Sequence, residues 1–309
     1  MRRLIIAMIV LGCIASGANS QQNLSTQQQA WLERDFPTLK DTIDEVRQIF
    51  RPQLPKDQQE LMDSIVVSVR RADWDIFNVY AIAPPHVAQR AIVLSAGALF
   101  IYDLANRAMA EASELQDMDA YGGYLAELTD HIQAATTSIA GGQTFPVMPG
   151  YCEFRKHSDA ECAALRARPT YKIGLDLLKS GSIGLIFAHE LGHHVFYHDK
   201  QPTRPRIEKE TEADDFALKL MIRSDLNPAA AYGVFLMFAS FEGAPPDKPQ
   251  ERTRHPYAAC RFFKAYKLAY FELLKDPLYI VYLKQRGILQ EVRDASHEFI
   301  ASLDKMKCN

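Results

Sequence analysis

The sequence predicts a mainly helical α+β protein with a small β-sheet, and three observations carry that expectation. Most of the chain spaces its apolar residues three and four apart, as one face of a helix requires. Two runs, residues 75–83 and Ala91–Ser95, are instead β-branched or aromatic and of strand length. Proline and glycine fall between long helical stretches rather than between many short strands. Apolar residues make up 48% and charged residues 24% of 309, which excludes disorder or a coiled coil as the main architecture. No apolar run reaches the roughly 18 residues that suggest a membrane span. The net charge of −3, with no block of like charge, excludes an electrostatic nucleic-acid binder.

Taken in order, the chain opens with Arg2 and Arg3, an apolar run over residues 4–15, and the small-residue segment Ala18-Asn19-Ser20. That is the order of a secretory signal. The expectation is a signal peptide at 1–20 and an exported mature chain, 21–309, periplasmic or secreted and folded as one domain. Lipid anchoring at Cys13 is the minor alternative. Cleavage removes Cys13 and leaves Cys152, Cys162, Cys260 and Cys308. An even set in an exported chain suggests disulfides, and closeness in sequence favours Cys152–Cys162 with Cys260–Cys308 over the other pairings; four buried thiols are the alternative.

Residues 26–50 fit a helical stripe through Trp31, Ile43 and Phe50, broken near Pro37. A second helix fits 57–71, and the two strands follow on either side of Pro84-Pro85. Helices are then predicted over 98–112 and 120–140, the latter weakened by Gly122-Gly123. The stretch 173–197 reads as one or two helices with Ser182 as a candidate N-cap. Further helices fit 205–223, 227–242, 256–275 and 278–305.

His189-Glu190-Leu191-Gly192-His193 carries the chemistry. On a helix, residues four apart differ by only about 40°, so both imidazoles leave one face and can hold a Zn²⁺ ion. Glu190 lies about 100° round, beside such an ion, where a carboxylate can act as general base. A catalytic zinc takes three protein ligands, and Glu210 on the next helix can supply the third. Asp214, one turn later, can accept a hydrogen bond from the free nitrogen of a ligating histidine. Glu212 points away from Glu210 and reads as solvated. His194 and His198 read as packing or hydrogen-bonding residues, His198 from the face opposite His189. Gly192 leaves room for a backbone segment or a substrate, or for tight helix packing.

The pattern resembles the gluzincin metallopeptidases and most closely the M48 family, which includes periplasmic assembly-factor peptidases and membrane-bound prenyl-protein peptidases. The matching pieces are HExxH at His189, Glu190 and His193 with a histidine five residues on at His198, ExxAD at Glu210, Ala213 and Asp214, the turn at residues 225–230, and His255-Pro256 with Arg261 as HPxxxR. Residues 78–81 and 92–97 resemble the family's strand pair. The core of the resemblance spans about 76–265, with a long helical insertion at about 103–180. The gap from His193 to Glu210 is closer to ImmA/IrrE-type peptidases than to many M48 members, which leaves the subfamily open.

The resemblance implies a zincin-like fold, one Zn²⁺ per chain and a protein or peptide substrate, with association to a membrane or envelope assembly. It also implies that an edge strand beside the cleft pairs with the substrate, with Ile92, Val93 and Leu94 as the candidates; an ordinary paired strand is the alternative. His255 or Arg261 is expected to donate to the oxyanion, and His255 could instead occupy the open position of a resting enzyme. The leading expectation is therefore an exported zinc metalloendopeptidase, with envelope protein quality control as its setting. A chaperone-like or regulatory envelope protein with a latent peptidase site, and an intracellular phage-exclusion-type or ImmA/IrrE-like peptidase, are the rivals.

Overall fold

Ser25 begins the first helix by closing a capping box with Gln28, which satisfies backbone donors that a helix start leaves open. The computed structural model describes residues 24–70, 79–83, 89–140, 147–226, 233–235, 258–275, 277, 280–281, 284 and 289–304. The expected signal peptide, Cys13, most of the predicted helix 227–242, His255 and Cys308 lie outside the described residues. Helix α1 (Thr26–Arg34) stops at Asp35, and α2 (Phe36–Phe50) restarts at once with Pro37 in its first turn, where a missing N–H breaks no bond. The stripe Leu39, Ile43, Val46 and Phe50 is buried, as its spacing predicts.

The helix expected over 57–71 is shorter than that. Helix α3 spans Lys56–Ser64, and Val66–Arg70 is a third strand, β1. Its valines lose little in an extended chain and crowd the preceding turn in a helix, and a parallel partner is available in β3 (Ala91–Ser95). Strand β2 (Val79–Ile82) pairs antiparallel with the other side of β3. The sheet order is therefore β1-β3-β2. This corrects the substrate-strand expectation: Ile92, Val93 and Leu94 lie on the central strand, paired on both sides and almost fully buried. The edge toward the cleft is β2.

Ser95 caps α4 (Ala96–Glu114) through its hydroxyl. Helices α5 (Met118–Ala140), α6 (Tyr151–Phe154) and α7 (Asp159–Ala167) follow, α7 with its own capping box between Ser158 and Glu161. Helix α8 (Pro169–Val195) runs through the middle as one element of 27 residues. Ser182 does not cap a second piece; it lies mid-helix, fully buried, and its hydroxyl donates to Asn106 of α4. A side chain that can bond sideways to a neighbouring helix need not mark a start. Helix α8 packs on α2, α4, α7 and strands β2 and β3, and most closely on α9 (Arg206–Arg223). Helices α10 (Ala258–Leu273) and α11 (Leu289–Asp304) complete the described elements, α10 resting on α9.

Residues 103–180 are not set apart from the rest. Tyr121, Tyr124 and Tyr151 share one buried cluster with Trp31, Leu191 and Leu220. The carboxylate of Glu111, almost fully buried, accepts from the Cys152 backbone N–H and from Arg166, so the segment is tied to the core by charge as well as by apolar contact. A disulfide joins Cys152 of α6 to Cys162 of α7. Cys260 is also disulfide-bonded; its expected partner, Cys308, lies outside the described residues. No helix among the described residues is long and apolar enough to cross a membrane.

Candidate metal centre

The middle of α8 is buried on every side, from Gly181 to Gly192, so the polar side chains of this stretch are held by packing rather than by water. His189 and His193 leave one face of it and turn their Nε2 atoms toward each other at 3.2 Å. Glu210, in the first half of α9, brings Oε2 to 3.2 Å from His189 Nε2 and 3.6 Å from His193 Nε2. Helix α9 can come this close because Gly192 has no side chain. A Cβ there would stand 3.1 Å from the Ala213 Cα and 3.3 Å from the Phe216 ring. Of the two uses of Gly192 allowed by the sequence, the structure shows tight helix packing.

The three donor atoms fit a metal ion. Ligands bound at 2.0–2.1 Å in a tetrahedron are ~3.3 Å apart, close to the separations of 3.2, 3.2 and 3.6 Å. Two imidazoles and one carboxylate form a group able to hold a cation, and they are also a common donor set for zinc with one position left for water or substrate. Burial by itself would keep His189 neutral, but Asp214, Glu210 and Glu190 raise its pKa to about 10. Such a field draws positive charge to that place, whether a proton or a metal.

Each of the two histidine rings is held from behind. His189 Nδ1 lies 2.9 Å from Asp214 Oδ1, and Arg261 grips Asp214 with Nε and Nη2, both at 2.7 Å. Burial opposes ionisation of Asp214, yet Arg261 and His189 outweigh it and bring its pKa down to about 2. Arg261 is therefore engaged with Asp214, on the side of His189 away from Nε2, and its guanidinium lies over Phe235; the expectation that it faces an oxyanion gives way to this pairing. His255, the other expected donor, lies outside the described residues. His193 Nδ1 meets His198 Nδ1 at 2.7 Å, and His198 Nε2 meets Glu212 at 2.9 Å.

These last contacts give His198 the hydrogen-bonding role the sequence suggests, but from a face other than the one expected for it. Helix α8 ends at Val195, and Tyr197 takes a left-handed backbone conformation with φ 53°. The chain turns back into a short 3-10 turn, His198–Lys200, so a helical wheel extended past Val195 places His198 on the wrong side. Glu212, expected to be solvated, is about a third exposed and is also bonded to His198 and Arg204. His194 is a hydrogen-bonding residue, as expected, with Nε2 at 3.1 Å from the Ala91 carbonyl.

The cleft over the site has a volume of about 500 Å³. Glu190, His189, His193 and Glu210 form part of its lining, with Val79, Tyr80 and Ala81 of β2 on one side and Arg204, Arg206 and Lys209 on another. The Glu190 carboxyl is buried, which raises its pKa above the usual carboxylate range, and the nearby Ala81 backbone N–H opposes that rise only weakly. That N–H is thus directed out of the sheet. Backbone groups alternate along a strand, so Val79 and Ala81 present theirs on the side of β2 away from β3, which no other described strand covers.

The family model described as Peptidase U49 matches residues 95–276, more than half of the chain. The chain belongs to that family, and a peptidase acts on protein or peptide substrates. The matched span holds the metal-type triad, Glu190 and Asp214, and begins at the last residue of β3. No curated protein and no solved structure matches the chain.

Proposed function

We propose that this U49 peptidase is a zinc-dependent metalloendopeptidase of the gluzincin type, exported from the cytoplasm, that cleaves extended segments of protein substrates, with envelope protein quality control as its setting. The observation that carries the reading is the triangle of His189 Nε2, His193 Nε2 and Glu210 Oε2, whose sides match the edges of a zinc tetrahedron. Zinc held there would polarise the scissile carbonyl and lower the pKa of a water molecule.

The remaining steps belong to the chain's own residues. Glu190 sits against the triad in a buried site that raises its affinity for a proton. It takes the proton of the attacking water and delivers it to the leaving amine. An extended substrate pairs with the free edge of β2, through the backbone of Val79 and Ala81, which supplies main-chain hydrogen bonds without demanding a sequence. Burial of the central helix keeps both histidines in one geometry before substrate arrives.

Export rests on the N-terminal pattern and on the disulfide between Cys152 and Cys162, a bond that persists in oxidising compartments. Glu190→Gln tests the mechanism: the variant should keep its zinc and lose cleavage of a denatured protein substrate by at least about 100-fold, at the lower bound of general-base effects. Full activity in that variant would remove Glu190 from the mechanism.

A further inference from the structure

We infer that His198, Glu212 and Arg204 form a brace that fixes the ring of His193 and so tunes the metal site, a positioning role built from residues outside the ligand set. The inference rests on the metal reading above. His193 turns Nε2 toward His189 and Glu210, so Nε2 is its ligating atom. A neutral imidazole carries one N–H, which ligation places on Nδ1 of His193. That atom lies 2.7 Å from His198 Nδ1, and two nitrogens at this distance require one donor and one acceptor. His198 must therefore accept at Nδ1 and carry its own proton on Nε2, which donates across 2.9 Å to Glu212 Oε2. Arg204 Nη1 donates to the same oxygen at 2.6 Å. One proton arrangement satisfies every atom in the series.

The two ligand rings are thus held in parallel ways. Asp214 with Arg261 holds His189 directly, and Glu212 with Arg204 holds His193 through an intervening imidazole. The backbone is shaped for it. The left-handed Tyr197 returns the chain beneath His193, Lys209 donates its ammonium to the His198 carbonyl, and the Phe196 ring stacks on His198 at 5.8 Å. The far end reaches the surface, with about a third of each of the Glu212 and Arg204 side chains exposed.

Partners behind metal ligands change metal affinity by ~10–100-fold when removed. The test measures zinc affinity of the folded full-length protein against a chromophoric chelator, with the visible spectrum of the cobalt-substituted protein as a geometric readout and thermal unfolding as the check on folding. His198→Phe keeps the packing and removes both nitrogens; it should lose ~10–100-fold in affinity and shift the cobalt bands. His198→Gln offers an oxygen to His193 and an N–H to Glu212, so it should recover most of the loss. Glu212→Gln, at the exposed end, should weaken zinc in the same direction by about 10-fold, at the low end of that range, and decides the matter if His198→Phe does not fold. Wild-type affinity in both His198→Phe and Glu212→Gln, or equal losses in His198→Phe and His198→Gln, would overturn the brace while leaving the metal site intact. A wild-type protein that binds no zinc would overturn the metal reading and the brace with it.

Discussion

Gly192 lies one residue before a proposed metal ligand, and its hydrogen atom occupies space that a methyl group would contest with the Ala213 backbone of the facing helix. Gly192→Ala gains about 1 kcal/mol of helix propensity, yet α9 must yield by a few tenths of an ångström. Glu210 lies one turn before Ala213, so the displacement reaches a ligand. The expected outcome is a melting temperature near that of the wild type and a zinc affinity several-fold lower by chelator competition. Unchanged affinity would mean that α9 absorbs the overlap without moving Glu210. Asp214→Asn makes a complementary case: an amide can still accept from His189, but it loses the charge that Arg261 grips. Zinc affinity should fall ~10–100-fold, read in the same titration. His189, Glu190, His193, Glu210 and Asp214 were legible from sequence because helical period alone decides which side chains share a face. The hydrogen-bonding role of His198 was legible but its face was not, because the period stops being a guide where α8 stops, at Val195.

At the scale of elements, the joint between α1, α4 and α8 depends on one carboxylate. Asp103 is buried, accepts the Trp31 indole N–H at 3.1 Å, and pairs with Arg107 and Lys179 at 2.7 Å each. Burial pushes its pKa up, but the two cations outweigh burial and leave it below the ordinary carboxylate value. A group whose folded pKa is depressed stabilises the fold above its unfolded pKa of ~3.9 and loses that contribution as pH falls through the folded value. Asp103→Asn should therefore cost about 2 kcal/mol at pH 7, below the 3–5 of a fully buried pair because both cations are partly exposed. The gap between variant and wild type should close below about pH 4 in denaturant titrations. A gap independent of pH would assign the loss to packing. Sheet order belongs to this scale too. The two strands were legible as β-branched runs, but which of them forms an edge depends on Val66–Arg70 pairing with Ala91–Ser95, a long-range contact that neither segment encodes alone.

For the whole molecule, export is the proposed setting, and the bond between Cys152 and Cys162 closes a loop across the segment that resemblance treats as an insertion. Sequencing the N-terminus of the native protein should find Gln21; an intact Met1 would return the protein to the cytoplasm. Replacing Cys152 and Cys162 by serine should lower stability by about 2–3 kcal/mol, the loop-closure value for a separation of this size, measured under non-reducing conditions. The central claim is a single zinc ion held by His189, His193 and Glu210, and metal content measured by mass spectrometry on protein purified without chelators tests it most directly. The wild type and Glu190→Gln should each carry one zinc per chain, and His189→Ala or Glu210→Ala that remain folded should carry almost none. A wild-type protein without zinc, or a His189→Ala protein that still carries one, would contradict it.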